Sequence, residues 1–108
     1  MITRGHRLAA RFIIHAVGPI WRGGGEGEAE LLASAYEASF ARAREEPLIR
    51  TIAFPAISTG VYGYPREEAA AIAVRAMRAH EDEFDRVIAC VFDGETEAIY
   101  HDAVARAA

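Results

Sequence analysis

Three short apolar runs, at residues 12–17, 51–57 and 87–92, constrain this chain more than any other feature. The first closes at Gly18-Pro19 and the last at Asp93-Gly94, which favours strands over helices. Longer stretches with helical spacing follow each run. Over residues 28–45, Leu32, Ala35, Tyr36, Ser39, Phe40 and Ala43 share one helical face. Glu28 and Glu30 suit the positive end of that helix, Arg42 and Arg44 the other, and Pro47 stops it. A second helix is expected from Pro65 to about His80, burying Ala69, Ile72, Ala73, Ala76 and Met77. A third is expected over about residues 95–106. Strand alternates with helix, and each link is long enough for a crossover. The expected architecture is therefore a parallel sheet with helices on its faces. The strands are apolar nearly throughout, as strands covered on both faces should be. Pro55 should end regular pairing in the middle strand. Residues 1–6 fit an edge strand or a frayed end equally well.

With 108 residues, the chain has room for one small domain. Its 12 basic residues are all Arg and stand against 16 acidic ones, a net charge of −4. That balance argues against a nucleic-acid partner bound through its phosphates. The apolar runs are too short to span a bilayer, and no apolar leader is present at the start. No membrane partner is expected, and the location expected is cytoplasmic. A single cysteine, Cys90, permits no internal disulfide and no cysteine zinc site. Mid-strand, it reads as an inert core thiol. The histidines are scattered, with no metal-ligand spacing, so neither a metal nor a cofactor is expected.

Open α/β sheets bind ligands at the carboxyl ends of their strands. Three loops qualify: residues 18–27, 58–64 and 93–94. The second, Ser58-Thr59-Gly60-Val61-Tyr62-Gly63-Tyr64, leads from a strand into a proline-led helix. Gly60 and Gly63 allow positive φ and close approach of a ligand. Unpaired N–H groups there can face an anion, aided by the helix dipole. An ordinary glycine turn with a helix cap is the alternative. The loop has no P-loop lysine and does not match GxGxxG. Ser58 and Thr59 have no assignable base, so hydrogen bonding to phosphate or ribose suits them better than nucleophilic attack. Tyr62 would cover a ligand or face solvent. Phe92, at the end of the third run, would stack on a base or pack as a rim aromatic. His15 reads as a buried strand histidine, and Gly23-Gly24-Gly25 as a flexible exposed segment.

These residues resemble the macrodomain family. Gly5-His6-Arg7-Leu8, followed by Phe12-Ile13-Ile14-His15-Ala16-Val17-Gly18-Pro19, is similar to the family's G-x-x-L … I-H-x-V-G-P. Residues 52–65 resemble the substrate loop of the MacroD-type branch almost letter for letter. Cys90-Val91-Phe92, with Tyr100 in the last helix, resembles the family's C-terminal strand and helix. The resemblance implies an α/β fold, a three-layer α/β/α sheet of mainly parallel strands. It implies ADP-ribose or a derivative as ligand. The backbone of Ser58, Thr59, Gly60, Val61, Tyr62 and Gly63 would cradle the diphosphate and distal ribose. Tyr62 would cover that ribose, and Phe92 would pack against the adenine.

The same resemblance covers only the C-terminal part of such a domain. The family's Asn-rich strand end and G-G-G-V-D-type loop have no counterpart, and the chain contains no Asn. No catalytic residue is therefore assigned. Family activity, hydrolysis of O-acetyl-ADP-ribose or of mono-ADP-ribosyl groups, is expected to be impaired. The alternatives are a non-catalytic ADP-ribose reader and a self-associating structural fragment without a ligand. One family strand is expected between those matching residues 12–17 and 51–57, so two apolar edges should stand open. A homo-oligomer formed through those edges is the expectation that follows.

Overall fold

The computed structural model describes residues 2–4, 12–14, 16–60, 62–91 and 93–107. Among them are four strands: β1 (Ile2–Arg4), β2 (Phe12–Ile14), β3 (Thr51–Phe54) and β4 (Arg86–Ala89). Three helices accompany them: α1 (Glu28–Arg44), α2 (Arg66–His80) and α3 (Gly94–Ala107). A single 3-10 turn, Glu81–Glu83, follows α2. None of the helices is long and apolar enough to cross a membrane.

β3 and β4 pair in parallel, Thr51 opposite Arg86 through Phe54 opposite Ala89. The link between them is α2, as a parallel crossover requires. β1 pairs antiparallel with β2, Ile2 opposite Ile14, so the first residues form an edge strand. No pairing joins β2 to β3 among the described residues; the sheet is two separate two-stranded pieces. β3 stops immediately before Pro55, which has no N–H to give the ladder. β2 and β4 are shorter than their apolar runs, although the Cys90 N–H still reaches the Phe54 carbonyl at 2.7 Å beyond β4.

The core forms where α1 lies on β3. Leu32, Ala35, Tyr36, Ser39, Phe40 and Ala43 are all buried, as their spacing requires. Phe54 meets Tyr36 at a ring separation of 5.1 Å and Phe40 at 5.0 Å. Ile52 and Phe54 are buried, while Thr51 and Ala53 on the opposite face of β3 are exposed. Coverage of both strand faces, expected from the apolar sequence, is thus not achieved on β3 by the described residues. α2 buries Ala69, Ala70, Ala73, Val74 and Ala76, with Ile72 and Met77 half-buried. His80 closes the α1–α2 contact by stacking on Phe40 at 4.7 Å. Its ring nitrogens meet Glu37 and Glu83 at 2.8 Å, and these carboxylates raise its pKa.

Candidate ligand-binding loop

The segment after β3 turns sharply before entering α2. Thr59 Oγ1 donates to the Ala56 carbonyl at 3.0 Å. The Tyr64 N–H donates to the Ser58 carbonyl at 2.9 Å, and the Gly63 N–H to the Gly60 carbonyl at 3.1 Å. These bonds close the loop on itself through its carbonyls. The N–H groups of Ser58, Gly60 and Tyr62 have no hydrogen-bond partner among the described residues. They lie in the turn that leads into α2, whose cap residue Pro65 supplies no side-chain cap. Pro65 therefore precedes the helix instead of occupying its first turn. The loop's tip is open, since a Cβ placed on Gly60 would meet nothing within 4 Å. Free amides beside an uncapped helix N-terminus make an anion-accepting arrangement.

The left-handed backbone is distributed differently from the sequence expectation. Gly63 adopts φ 73°, as anticipated. The second such residue is Ser58 at φ 67°, not Gly60. A residue with a Cβ rarely adopts this conformation, because the Cβ crowds its own backbone. The Ser58 hydroxyl is buried without a partner among the described residues. It lies so close to Gly18 that a Cβ there would come within 2.2 Å of Ser58 Oγ and 2.6 Å of Ile57 Cγ2. Gly18 thus seats the loop by having no side chain. Its Gly-Pro pairing reads as a strand terminator in the sequence, which conceals this second role.

Two neighbouring loops brace this one. The Trp21 N–H donates to the Tyr62 carbonyl at 2.9 Å, and the Trp21 ring meets Tyr64 at 4.7 Å. Tyr64 is buried, and burial together with the charges of Glu68, Glu28 and Glu30 raises its pKa. Tyr62 itself is 38% exposed, free to cover a ligand. On the other side, Arg66 at the start of α2 lies 3.2 Å from Glu95 and 4.0 Å from Asp93. Beneath the loop, burial and the neighbouring Tyr100 raise the pKa of Tyr36, opposed by the Ile57 N–H turned towards its hydroxyl.

Asp93 caps α3. It accepts the Thr96 N–H at 2.7 Å and the Thr96 hydroxyl at 3.1 Å, and these bonds hold its pKa down. Glu28, only 1% exposed, has the role that sequence reasoning missed. Its carboxylate accepts the N–H groups of Arg22 at 2.8 Å, Gly24 at 3.0 Å and Glu26 at 2.7 Å. Burial opposes its ionisation, but these amides and its own N–H outweigh that and hold its pKa at about 2. The glycine run is accordingly a formed turn, not a slack one, with Gly23 at φ 95° and Gly24 at φ 92°. An acidic residue three places after a glycine run was the available signal. Val61, Phe92 and His15, singled out in the sequence, lie outside the described residues. No cluster of metal-ligating side chains occurs among the described residues.

Comparison with known proteins agrees with this geometry. Residues 1–73 match the macro domain family. A macro domain-containing protein of Chlorobaculum tepidum is 55% identical over 96% of this chain and 62% of its own length. A Klebsiella pneumoniae protein named O-acetyl-ADP-ribose deacetylase is 50% identical over 97% of this chain and 61% of its own length. An Oceanobacillus iheyensis macrodomain variant solved with ADPR superposes on 99% of this chain at TM-score 0.90 and 40% identity, and this chain covers 58% of it. The chain thus spans about three fifths of the length of these relatives. The matched residues, the strand–loop–helix at 51–80 and the superposition establish an α/β macrodomain fold, and the chain belongs to the macro domain family.

Proposed function

We propose that this chain binds ADP-ribose, as a MacroD-type macrodomain whose hydrolytic activity is impaired. The backbone of Ser58, Thr59, Gly60, Tyr62 and Gly63 holds the diphosphate and distal ribose, and Tyr62 covers that ribose. Phe92 is assigned to the adenine side by resemblance alone. One observation carries the reading: among the described residues, the amides of Ser58, Gly60 and Tyr62 have no partner, in the turn that leads into the uncapped N-terminus of α2. Groups of this kind bind a diphosphate without a basic side chain, which suits an acidic protein. The ADPR-bound relative and the relatives named as deacetylases support the same ligand.

Hydrolysis of O-acetyl-ADP-ribose or of a mono-ADP-ribosyl group needs a positioned water and a base to activate it. The Asp93 carboxylate is engaged by Thr96, and no base lies within hydrogen-bond reach of Ser58 or Thr59 among the described residues. Calorimetry with ADP-ribose, run beside an O-acetyl-ADP-ribose hydrolysis assay, tests both parts. Binding heat without product is expected. Rapid product formation would refute the impairment, and absence of heat would reduce the loop to a structural turn.

A further inference from the structure

His80 ends α2 with its side chain only 13% exposed. Both carboxylate oxygens of Glu37 lie on its Nε2, at 2.9 and 2.8 Å. Nδ1 faces two groups of opposite kind: the Glu83 Oε2 acceptor at 2.8 Å and the Arg44 guanidinium donor at 3.2 Å. That nitrogen serves only one of them at a time, because it carries either a proton or a lone pair. As imidazolium, the ring donates from both nitrogens, to Glu37 and to Glu83. As neutral imidazole with its proton on Nε2, it keeps Glu37. Its Nδ1 lone pair then opposes the Glu83 oxygen and finds its donor in Arg44. Glu37 and Arg44 from α1, and Glu83 from the 3-10 turn, are the charged groups within hydrogen-bond reach of the ring among the described residues. Arg78 and Glu81, near it in sequence, pair with each other at 3.9 Å.

We propose that His80 is a pH-sensitive latch: protonated, it holds Glu83 and with it the turn into β4; neutral, it exchanges Glu83 for Arg44 and lets that turn open. Glu83 is the last residue of the 3-10 turn. Phe84 follows, buried, with its ring 5.9 Å from that of Phe40. The Asp85 N–H then donates to the Arg50 carbonyl at 2.7 Å, where β4 begins beside β3. Arg44 holds the other Glu83 oxygen at 2.7 Å, so neutralising the ring removes one of two holds on that carboxylate. Hydrogen bonding to Glu37 and then to Glu83 raises the His80 pKa, against the opposing effect of burial. The folded value therefore exceeds the unfolded one. The latch is fully set below about pH 6.5 and is released as pH rises through the higher folded value. It is independent of the ADP-ribose reading.

The test titrates the full chain from about pH 5 to about pH 9, with His80 assigned through its backbone. Nitrogen-15 NMR reads the protons on its ring, and hydrogen exchange at the Asp85 amide, corrected for the intrinsic rate, reads opening of the turn. Both ring nitrogens should be protonated at the acid end and Nε2 alone at the alkaline end. Protection of Asp85 should fall with the same midpoint, by about tenfold for each pH unit separating the folded from the free histidine. His80→Gln should abolish that fall. Glu83→Gln, whose amide can donate to a neutral Nδ1, should move the midpoint down. Should either variant misfold, the titration of the unsubstituted chain decides alone. A neutral ring protonated on Nδ1 would mean that Glu83 is never released, and would overturn the proposal. So would Asp85 protection that stays constant while His80 titrates.

Discussion

The loops before α1 and α2 are built from the same parts and are finished in opposite ways. Each is glycine-rich, each contains left-handed backbone, and each leads its amides into a helix N-terminus. Before α1, the Glu28 carboxylate accepts three of the loop's amides, so that turn carries its own anion. Before α2, the carbonyls of Ser58, Gly60 and Tyr62 are satisfied internally, while the amides of the same three residues have no partner among the described residues. An amide-rich turn becomes a binding site only when the protein withholds its own anion. The contrast separates a structural turn from one available to a ligand, although both look alike in composition.

The largest effect should come from filling the open loop with an internal anion. Gly60→Glu is expected to weaken ADP-ribose binding by about a hundredfold or more, measured by calorimetry. Its stability should barely change, because the Cβ meets nothing nearby. Unchanged binding would show that the two loops are functionally equivalent.

Removing the anion from the completed loop is the converse experiment. Glu28→Gln should lower Tm by about 10 °C, read by differential scanning calorimetry. The pH dependence has a definite sign. The folded-state pKa lies below the unfolded value, so this stability is present above about pH 4.5 and is lost as pH falls towards 2. Glu28→Gln should flatten the wild-type decline in that window. An equal decline in both proteins would remove Glu28 from its assigned role.

Two smaller changes sharpen how the open loop is seated. Gly18→Ala forces a Cβ against Ser58 and should cost about 1–3 kcal/mol in urea denaturation, with weakened ligand binding. Ser58→Gly removes the left-handed penalty and the partnerless hydroxyl, and should stabilise the chain by up to about 1 kcal/mol. A stability loss there would mean that the hydroxyl has a role in the free protein.

The helices were legible because burial on one side imposes a period. The face from Leu32 to Ala43 is the buried set observed, with Glu28 added. The position of the candidate site was legible too, since Pro55 and the glycines mark where β3 must end and a turn begin. Assigning left-handed backbone to Gly60 failed because glycine's permissiveness is no obligation; tertiary packing placed it at Ser58 instead. Glu28 was read as a helix-end charge because sequence reports distance along the chain, not the inward direction of a carboxylate. Gly18 was half read for a related reason: its second neighbour, Ser58, lies forty residues on.

The chain has one tryptophan, and it sits across the seam between the two loops. Its amide holds Tyr62 while its indole leans on Tyr64. On the proposed reading, a shift of the Tyr62 backbone on ligand binding is passed to that residue. Intrinsic emission from Trp21, with no label attached, should therefore follow occupancy of the loop in real time.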